Sequence, residues 1–338
     1  MRVTGPPSPA QIQVAAERIA TFLKPKNALV MTGAGVSVDS GIQAYRGSDG
    51  RYANPNFKPI FYQELMDSGP KGHAFRQRYW AGGYLGWRHV FRSDPNPTHF
   101  ALAALQHLDV APRLITQNVD GLHQRASPFS KQETDSRTLE LHGTLNTVRC
   151  LRGHKMPREE FQDVLSKLNP AWKAYSDELD RTGQKPRTNP DGDVDLGGVR
   201  FADFVVPECA ECAAEGHPGS ILKLEVIFFG ESIPNEVKER SFRMVDESDR
   251  LLLVGTTLAT FSAFRLVKYA LEQNKPVVLL NLGPARTDSI PQVEKIELPS
   301  REVLLEACRL LAGSRASEDQ TLSRLLTSGV VKPPEMED

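Results

Sequence analysis

The segment Thr32-Gly33-Ala34-Gly35-Val36-Ser37 restricts the fold of this chain more than any other, because it follows directly on the apolar run Ala28-Leu29-Val30-Met31. A short continuous aliphatic run reads as a strand buried on both faces. A strand that passes through Gly-Ala-Gly into a helix start brings backbone N–H groups close to a bound phosphate, and the helix N-terminus adds partial positive charge. The segment points to a dinucleotide pyrophosphate held on a βα turn. The dehydrogenase fingerprint requires a third glycine three positions after Gly35, where the chain has Val38, and an acidic residue about 20 residues further on. That region reads Arg51-Tyr52-Ala53-Asn54. The loop serves a nucleotide, but not in the dehydrogenase manner.

The rest of the chain keeps an alternating rhythm. Ser8-Pro9-Ala10-Gln11 carries a cap, a proline at the first helical position and Gln three residues after the cap, so a helix is expected through Leu23. Strands are expected at 28–31, 113–116, 222–229, 251–254 and 277–280. Helices are expected from Asn96-Pro97 to about Leu108, and over 234–245, 261–271 and 302–311. Alternating strand and helix means an α/β fold: a doubly wound, Rossmann-like parallel sheet with helices on both faces. It is assigned to residues 8–145 and 220–312. Residues 47–90, rich in Gly, aromatics and Arg, read as a loop with short helices over the cofactor. Residues 146–219 read as a small inserted module, and the polar segment 313–338 as a disordered tail.

Composition narrows the function classes. The chain has 338 residues with 41 Lys and Arg against 42 Asp and Glu, so its net charge of −1 gives no basis for nucleic-acid or membrane-surface partners. No apolar stretch approaches the roughly 20 residues of a membrane span. The N-terminus lacks a secretory core, and its Arg2, Arg18 and Lys24 with Glu17 are ambiguous as a mitochondrial presequence. Four cysteines in this length do not make a disulfide scaffold, and the chain reads as intracellular.

Ligands of doubly wound folds bind at the carboxyl ends of the strands. Gln117-Asn118-Val119-Asp120 follows one expected strand, Gly255-Thr256-Thr257 another and Asn281-Leu282-Gly283 a third. Each alone is an ordinary turn or cap. Together, in register with the Gly-Ala-Gly loop, they form a ligand-binding edge. His142, in Leu139-Glu140-Leu141-His142-Gly143, has an unperturbed pKa suited to general-base work near neutrality. Cys209-Ala210-Glu211-Cys212 has metal-ligand spacing, with Cys150 the evident third ligand and His154 a candidate fourth for zinc. Cys308, among apolar residues of the last helix, reads as core.

In combination these motifs resemble the sirtuins, the NAD-dependent protein deacylases. The resemblance runs from about Leu29 to Leu304 and includes Val226-Ile227-Phe228-Phe229-Gly230-Glu231 and Val254-Gly255-Thr256-Thr257-Leu258. Tyr45, Gln77-Arg78-Tyr79-Trp80, Leu168-Asn169-Pro170-Ala171-Trp172 and Pro190-Asp191-Gly192-Asp193-Val194 are similar to the class II, mitochondrial-type branch. The resemblance implies that Gly33, Ala34, Gly35 and Ser37 hold the pyrophosphate end of NAD. Asp120 and the backbone near Ile42 would hold the carboxamide, and Gln117 and Asn118 the nicotinamide ribose. Tyr45 and Arg46 would close over it, with Gly255, Thr256, Thr257, Asn281, Leu282 and Gly283 on the adenosine half. An acyl-lysine oxygen attacks the ribose carbon as nicotinamide leaves. His142 then acts as general base with Asn118 beside it, and the products are free lysine and O-acyl-ADP-ribose. The acyl-lysine protein would add as a strand against Val226, Phe229 and Gly230. Zinc on Cys150, His154, Cys209 and Cys212 would be structural, and the location mitochondrial, with nucleus or cytoplasm as the alternative.

Three departures stand out. The family's second zinc cysteine is absent near Gly153, and Leu224-Glu225 replaces a more usual Pro-containing pair. Tyr84 is followed by Trp87 and then Arg88, which does not reproduce the Tyr-x-x-Arg pair of the desuccinylase branch. Two other functions stay open on these residues: mono-ADP-ribosyl transfer from the same pocket, and non-catalytic binding of NAD or acyl-lysine.

Overall fold

The apolar run at 28–31 forms the middle of a six-stranded sheet in the computed structural model, which describes residues 7–46, 50–54, 58–184, 187–188, 194–195 and 199–332. In chain order the first elements are α1 (Pro9–Leu23), β1 (Ala28–Thr32), α2 (Tyr62–Met66), α3 (Pro70–Arg92), α4 (Pro97–His107) and β2 (Arg113–Thr116). Then come α5 (Leu122–Ala126), α6 (Lys131–Arg137), β3 (Thr138–Glu140), β4 (Gly143–Cys150), β5 (Lys155–Pro157), α7 (Arg158–Leu168) and α8 (Pro170–Thr182). After the two-residue strands β6 (Arg187–Thr188) and β7 (Val194–Asp195) follow α9 (Ala210–Ala214), β8 (Leu222–Val226), α10 (Asn235–Asp246) and β9 (Arg250–Val254). The chain closes with α11 (Phe261–Glu272), β10 (Val277–Leu280), β11 (Val293–Ile296), α12 (Ser300–Ala312), α13 (Arg315–Glu318) and α14 (Gln320–Thr327).

These elements fall into two compact units. The first comprises Met1–Ala53, Ser93–His142 and Ile233–Asp338. Its sheet has the order β11-β10-β9-β1-β2-β3, every pair parallel. From β1 the chain winds outward through β2 to β3, and from β9 outward the other way through β10 to β11. The direction reverses between β1 and β9, which creates a topological switch point there. Thr32 pairs with Thr116 on one side and Val254 on the other, so three strands end level beside that switch.

Period-two alternation builds the two helical layers. Ala28 and Val30 face a layer with Ala16, Ile19, Leu102 and Leu304, while Leu29 and Met31 face Val245, Leu266 and Val267. The Ser8 side chain and the Gln11 side chain cap α1 reciprocally, as the sequence pattern predicts. The segment after Ala312 is not a disordered tail over its described part. Leu322, Leu325 and Leu326 of α14 stand at helical spacing and are buried in the first core, so polar composition around them concealed an amphipathic turn.

The second unit comprises Asn54–Arg92 and Gly143–Ser232. An antiparallel sheet, β5-β4-β8, carries Cys150, while Cys209 caps α9 and Cys212 lies within it. Trp80, Tyr84, Phe161, Trp172 and Phe204 fill its core. The strand expected at 222–229 thus belongs to this small sheet rather than the parallel one, and it stops at Val226. The unit also draws in residues 54–92. There the expected loop and short helices give way to the 23-residue helix α3. Gly82, Gly83 and Gly86 lie within it, yet a Cβ at any of them would meet nothing within 4 Å, and the buried Trp80, Ala81 and Tyr84 hold the helix. The Pro190 to Asp193 part of the class II motif, Gly47, and residues 333–338 lie outside the described residues.

Candidate functional site

In the first unit, the turns after β1 and β9 cross at van der Waals limit. A Cβ on Gly33 would stand 2.7 Å from Thr256 Cβ, and one on Gly35 2.8 Å from the Gly255 carbonyl oxygen. Glycine is needed here so that two turns can interlock. The Gly33 and Gly35 amides donate to the carbonyls of Val254 (3.2 Å) and Gly255 (2.9 Å). Among the described residues Ala34 N–H has no such backbone partner, and it opens the short 3-10 turn Ala34–Ser37, where an anion is favoured.

A buried polar network stands behind this loop. Ser37 Oγ donates to Asp120 Oδ2 (2.7 Å) and accepts from Asn118 Nδ2 (3.0 Å). Asp120 Oδ1 accepts from Leu122 N–H at 3.0 Å. Burial pushes the Asp120 carboxyl up, and its hydrogen bonds from Leu122 and Ser37 pull against that. His99 accepts from Asn96 N–H on Nδ1 (3.3 Å), which leaves Nε2–H directed at Ser37 Oγ (3.4 Å). Thr32 Oγ1 donates to Thr116 Oγ1 (2.8 Å) and accepts from His123 Nε2–H (2.9 Å). Burial drives both histidines toward the neutral ring, His99 well below its ordinary value and His123 to about 4.

Gln117 ties three strand ends together. Its Nε2 donates to Thr256 Oγ1 (2.8 Å) and the Thr32 carbonyl (3.1 Å), and its Oε1 accepts from Thr260 Oγ1 (3.2 Å). The Gln117 carbonyl faces His142 Nδ1 at 3.2 Å, and His142 Nε2 stands 2.8 Å from Ser262 Oγ. His142 lies just past the end of β3 rather than within a strand. Burial pushes its pKa down, and the Gln117 carbonyl opposes the shift.

Tyr45 and Arg46 sit in a loop closed by Arg51 N–H to Ala44 O (2.9 Å) and Tyr52 N–H to Tyr45 O (3.0 Å). Arg46 lies over the Tyr52 ring and Arg51 over the Tyr45 ring, at 5.1 and 6.0 Å. Ile42 N–H is engaged by the Ser37 carbonyl at 3.3 Å. The Thr257 carbonyl accepts Arg286 N–H at 2.9 Å. Asn281, just past the end of β10, folds its amide onto the Leu282 carbonyl (2.9 Å), and Gly283 N–H meets Glu297 Oε1 at 2.9 Å. The structure therefore sets the strand-end residues named from sequence along one sheet edge. His123 closes the sequence motif Thr116-Gln117-Asn118-Val119-Asp120-Gly121-Leu122-His123, and the structure gives it a partner in Thr32. The structure also adds His99, Thr260 and Ser262, which carry no local motif and become visible only through their hydrogen-bond partners.

In the second unit, β8 is an edge strand among the described residues, with β4 on one side only. Val226 closes its ladder opposite Gly143. The Phe229 backbone is not free for an added strand: its N–H donates to the Ile60 carbonyl (3.3 Å) and its carbonyl accepts from Tyr62 N–H (2.9 Å). Gly230 O accepts from Gln63 Nε2 at 3.3 Å. The unexpected member is Lys223, a buried lysine whose ammonium donates to the carbonyls of Leu224 (3.1 Å) and Val226 (2.8 Å) and pairs with Glu231 at 3.1 Å.

Cys150, His154, Cys209 and Cys212 converge with all ligand atoms within 4.8 Å of one another. Cys150 Sγ and Cys212 Sγ are 3.6 Å apart, and His154 Nδ1 stands 3.3 and 3.6 Å from the sulfurs of Cys212 and Cys209. Tetrahedral zinc with ordinary Zn–S and Zn–N bonds sets its ligands about 3.5–3.8 Å apart. The donor set and its spacing fit a structural zinc. Cys308 lies in the first core, and burial pushes its thiol up to about 12, as expected of an inert core residue.

A parallel sheet whose switch point is lined by interlocked glycine turns, amides, a carboxylate and a buried imidazole defines a nucleotide-binding α/β protein. The Sir2 family profile matches residues 33–262, and the chain belongs to this family. It is 44% identical over 283 residues to the NAD-dependent protein deacylase SIR4 of Batrachochytrium dendrobatidis, covering 82% of this chain and 88% of that one. Against the NAD-dependent protein deacylase Sirt4 of Drosophila melanogaster it is 36% identical over 281 residues, covering 82% of each. An NAD-dependent protein deacetylase of Xanthomonas axonopodis pv. citri is 40% identical over 262 residues, covering 77% of this chain and 80% of the relative. Among solved structures, a mutant Sir2 homologue in complex with ADP-ribose superposes with a TM-score of 0.62 at 26% identity, covering 89% of this chain and 98% of that one. A Sir2 homologue–NAD complex superposes with a TM-score of 0.60 at 26% identity, covering 88% of this chain and 94% of that one.

Proposed function

We propose that the chain is an NAD-dependent protein lysine deacylase in which His142 is the general base. One observation carries the reading: the Gly33–Ser37 turn, Asn118, Asp120, Gln117 and His142 share the carboxyl edge beside the switch point, in a chain 36 to 44% identical to named deacylases. NAD supplies an electrophilic ribose carbon with nicotinamide as the leaving group. Ala34 N–H and the 3-10 turn favour the pyrophosphate, and the Ser37-bound Asp120 presents a carboxylate to the carboxamide. Gln117 has its side-chain amide committed to Thr256, Thr32 and Thr260, so its part is to hold the ribose end of the site in shape. The neutral His142 takes the ribose hydroxyl proton on Nε2, which frees that oxygen to attack the acyl carbon.

The protein substrate is read as an added strand along the open edge of β8 near Val226. Phe229 contributes its side chain, which is 49% exposed, because its backbone is already paired. The class II resemblance supports a mitochondrial location, which fractionation of tagged protein decides. The reading as a whole is tested by incubating the purified chain with NAD and an acetyl-lysine peptide. O-acyl-ADP-ribose and free lysine are expected, with both formed about 10²–10⁴-fold more slowly by His142→Ala. ADP-ribose attached to protein without O-acyl-ADP-ribose would assign the site to ADP-ribosyl transfer instead. Peptide and NAD recovered unchanged would assign it to binding alone.

A further inference from the structure

The turn at 150–154 explains why the fourth metal ligand is a histidine. Cys150 N–H donates to the His154 carbonyl (3.0 Å) and Gly153 N–H to the Cys150 carbonyl (3.2 Å). This tight connection from β4 to β5 puts Gly153 at φ +99°. A side chain at 153 would require a conformation that L-residues avoid. With the turn in this shape, a cysteine spaced from Cys150 by Leu151 and Arg152 alone is disfavoured, and the ligating role passes to the next residue, His154.

An imidazole differs from a thiolate in having a second nitrogen, and here that nitrogen is engaged. His154 Nδ1 faces the sulfurs of Cys209 and Cys212, while Nε2 stands 3.2 Å from Glu215 Oε1. Glu215 follows α9 directly, so the helix capped by Cys209 and carrying Cys212 also sets this carboxylate. Its other oxygen lies 3.7 Å from Arg152 Nε, on the same turn as His154. Glu211, one helical turn earlier, is 3.9 Å from Nε2 and more exposed, at the margin of contact.

We propose that Glu215 is the outer partner of a three-cysteine, one-histidine zinc site, fixing His154 with Nδ1 toward the metal. A carboxylate on the distal nitrogen sets the tautomer, orients the ring and raises the basicity of the ligating nitrogen. It also settles the charge. Three thiolates and one carboxylate bring four negative charges to the cation, as four thiolates would. Glu215 is therefore a positioning residue for the metal and has no part in the deacylation chemistry.

The test measures zinc affinity of the full chain by competition with a chromophoric chelator, and follows folding by circular dichroism. Glu215→Gln is expected to bind zinc about 10–100-fold more weakly, and Glu211→Gln within about twofold of the parent. The cobalt-substituted Glu215→Gln protein should keep its thiolate-to-metal absorption, which shows that the four ligands still bind. In a His154→Cys background, Glu215→Gln should change affinity by less than about twofold, because the ring that couples the two is gone. Unchanged affinity in Glu215→Gln, equal weakening by Glu211→Gln, or a full effect in the His154→Cys background would each overturn the proposal. Parent protein that neither contains nor takes up zinc would remove the metal itself, and the role of Glu215 with it.

Discussion

The His142 ring meets Ser262 Oγ at 2.8 Å through Nε2, while Nδ1 faces the Gln117 carbonyl at 3.2 Å. A carbonyl oxygen only accepts, so the neutral ring carries its proton on Nδ1, and Nε2 accepts a hydrogen bond from the Ser262 hydroxyl. In the proposed reaction that Nε2 lone pair is the one that would serve as base.

His142→Ala should retain NAD binding and lose about 10²–10⁴-fold in deacylation. Burial holds the His142 pKa below its ordinary value, so activity should be level at neutral pH and fall on an acid limb centred below about 6.5. Ser262→Ala removes a donor to the neutral ring. Its acid limb should move upward while the alkaline plateau is kept. A pH–rate profile of kcat/KM checks both, and an unmoved limb in Ser262→Ala would show that the contact does not tune the base.

His123 links titration to folding. Its folded pKa of about 4 is below the unfolded value of about 6.5, so the native state resists protonation. The stability it contributes is fully present above about pH 6.5 and is lost as pH falls toward 4, by up to about 3 kcal/mol. Urea midpoints at pH 7 and pH 5 should differ, and His123→Asn should narrow that difference. An equal difference in the variant would place the acid sensitivity elsewhere.

Lys223 and Glu231 form a buried pair that also holds two carbonyls of β8. Lys223→Met takes the ammonium away from the buried Glu231 carboxylate and from both carbonyls, leaving the carboxylate charge unpaired, and a loss of about 3–5 kcal/mol is expected. Glu231→Gln keeps an acceptor for Phe228 N–H, now at 3.0 Å, and should cost less. Denaturation midpoints rank the two, and the reverse order would contradict the pairing.

Leu325→Ala in α14 should cost about 2–5 kcal/mol, the range for a buried leucine in a closed core. Thermal melts of the variant against the parent measure it, and an unchanged melting temperature would mean that α14 is not part of the cooperative unit.

The inner strands β1, β9 and β10 of the parallel sheet were legible because they are buried on both faces and read as aliphatic runs, as at Leu251–Val254. The glycine loop was legible for a similar reason, since close packing tolerates few alternatives at Gly33 and Gly35. What was hidden depended on partners distant in sequence or on packing. Lys223 interrupts an apolar strand and looks out of place until Glu231 is seen beside it. Ser262 lies 120 residues from His142, and no local pattern connects them. The β11 strand, Val293–Ile296, mixes Glu and Lys with two aliphatics because it is a sheet edge with only β10 beside it. Helix α3 was obscured by glycines that its packing merely tolerates.

Beyond α14 the backbone returns to the segment that follows β1: Lys332 N–H donates to the Asp39 carbonyl at 2.7 Å, and Ser40 pairs with Lys332 as an isolated parallel bridge. A purification handle or fluorescent reporter fused after this point would be tethered beside Asp39, two residues from Ser37. Fusions made for ligand-affinity work should therefore be placed at the opposite terminus, ahead of α1.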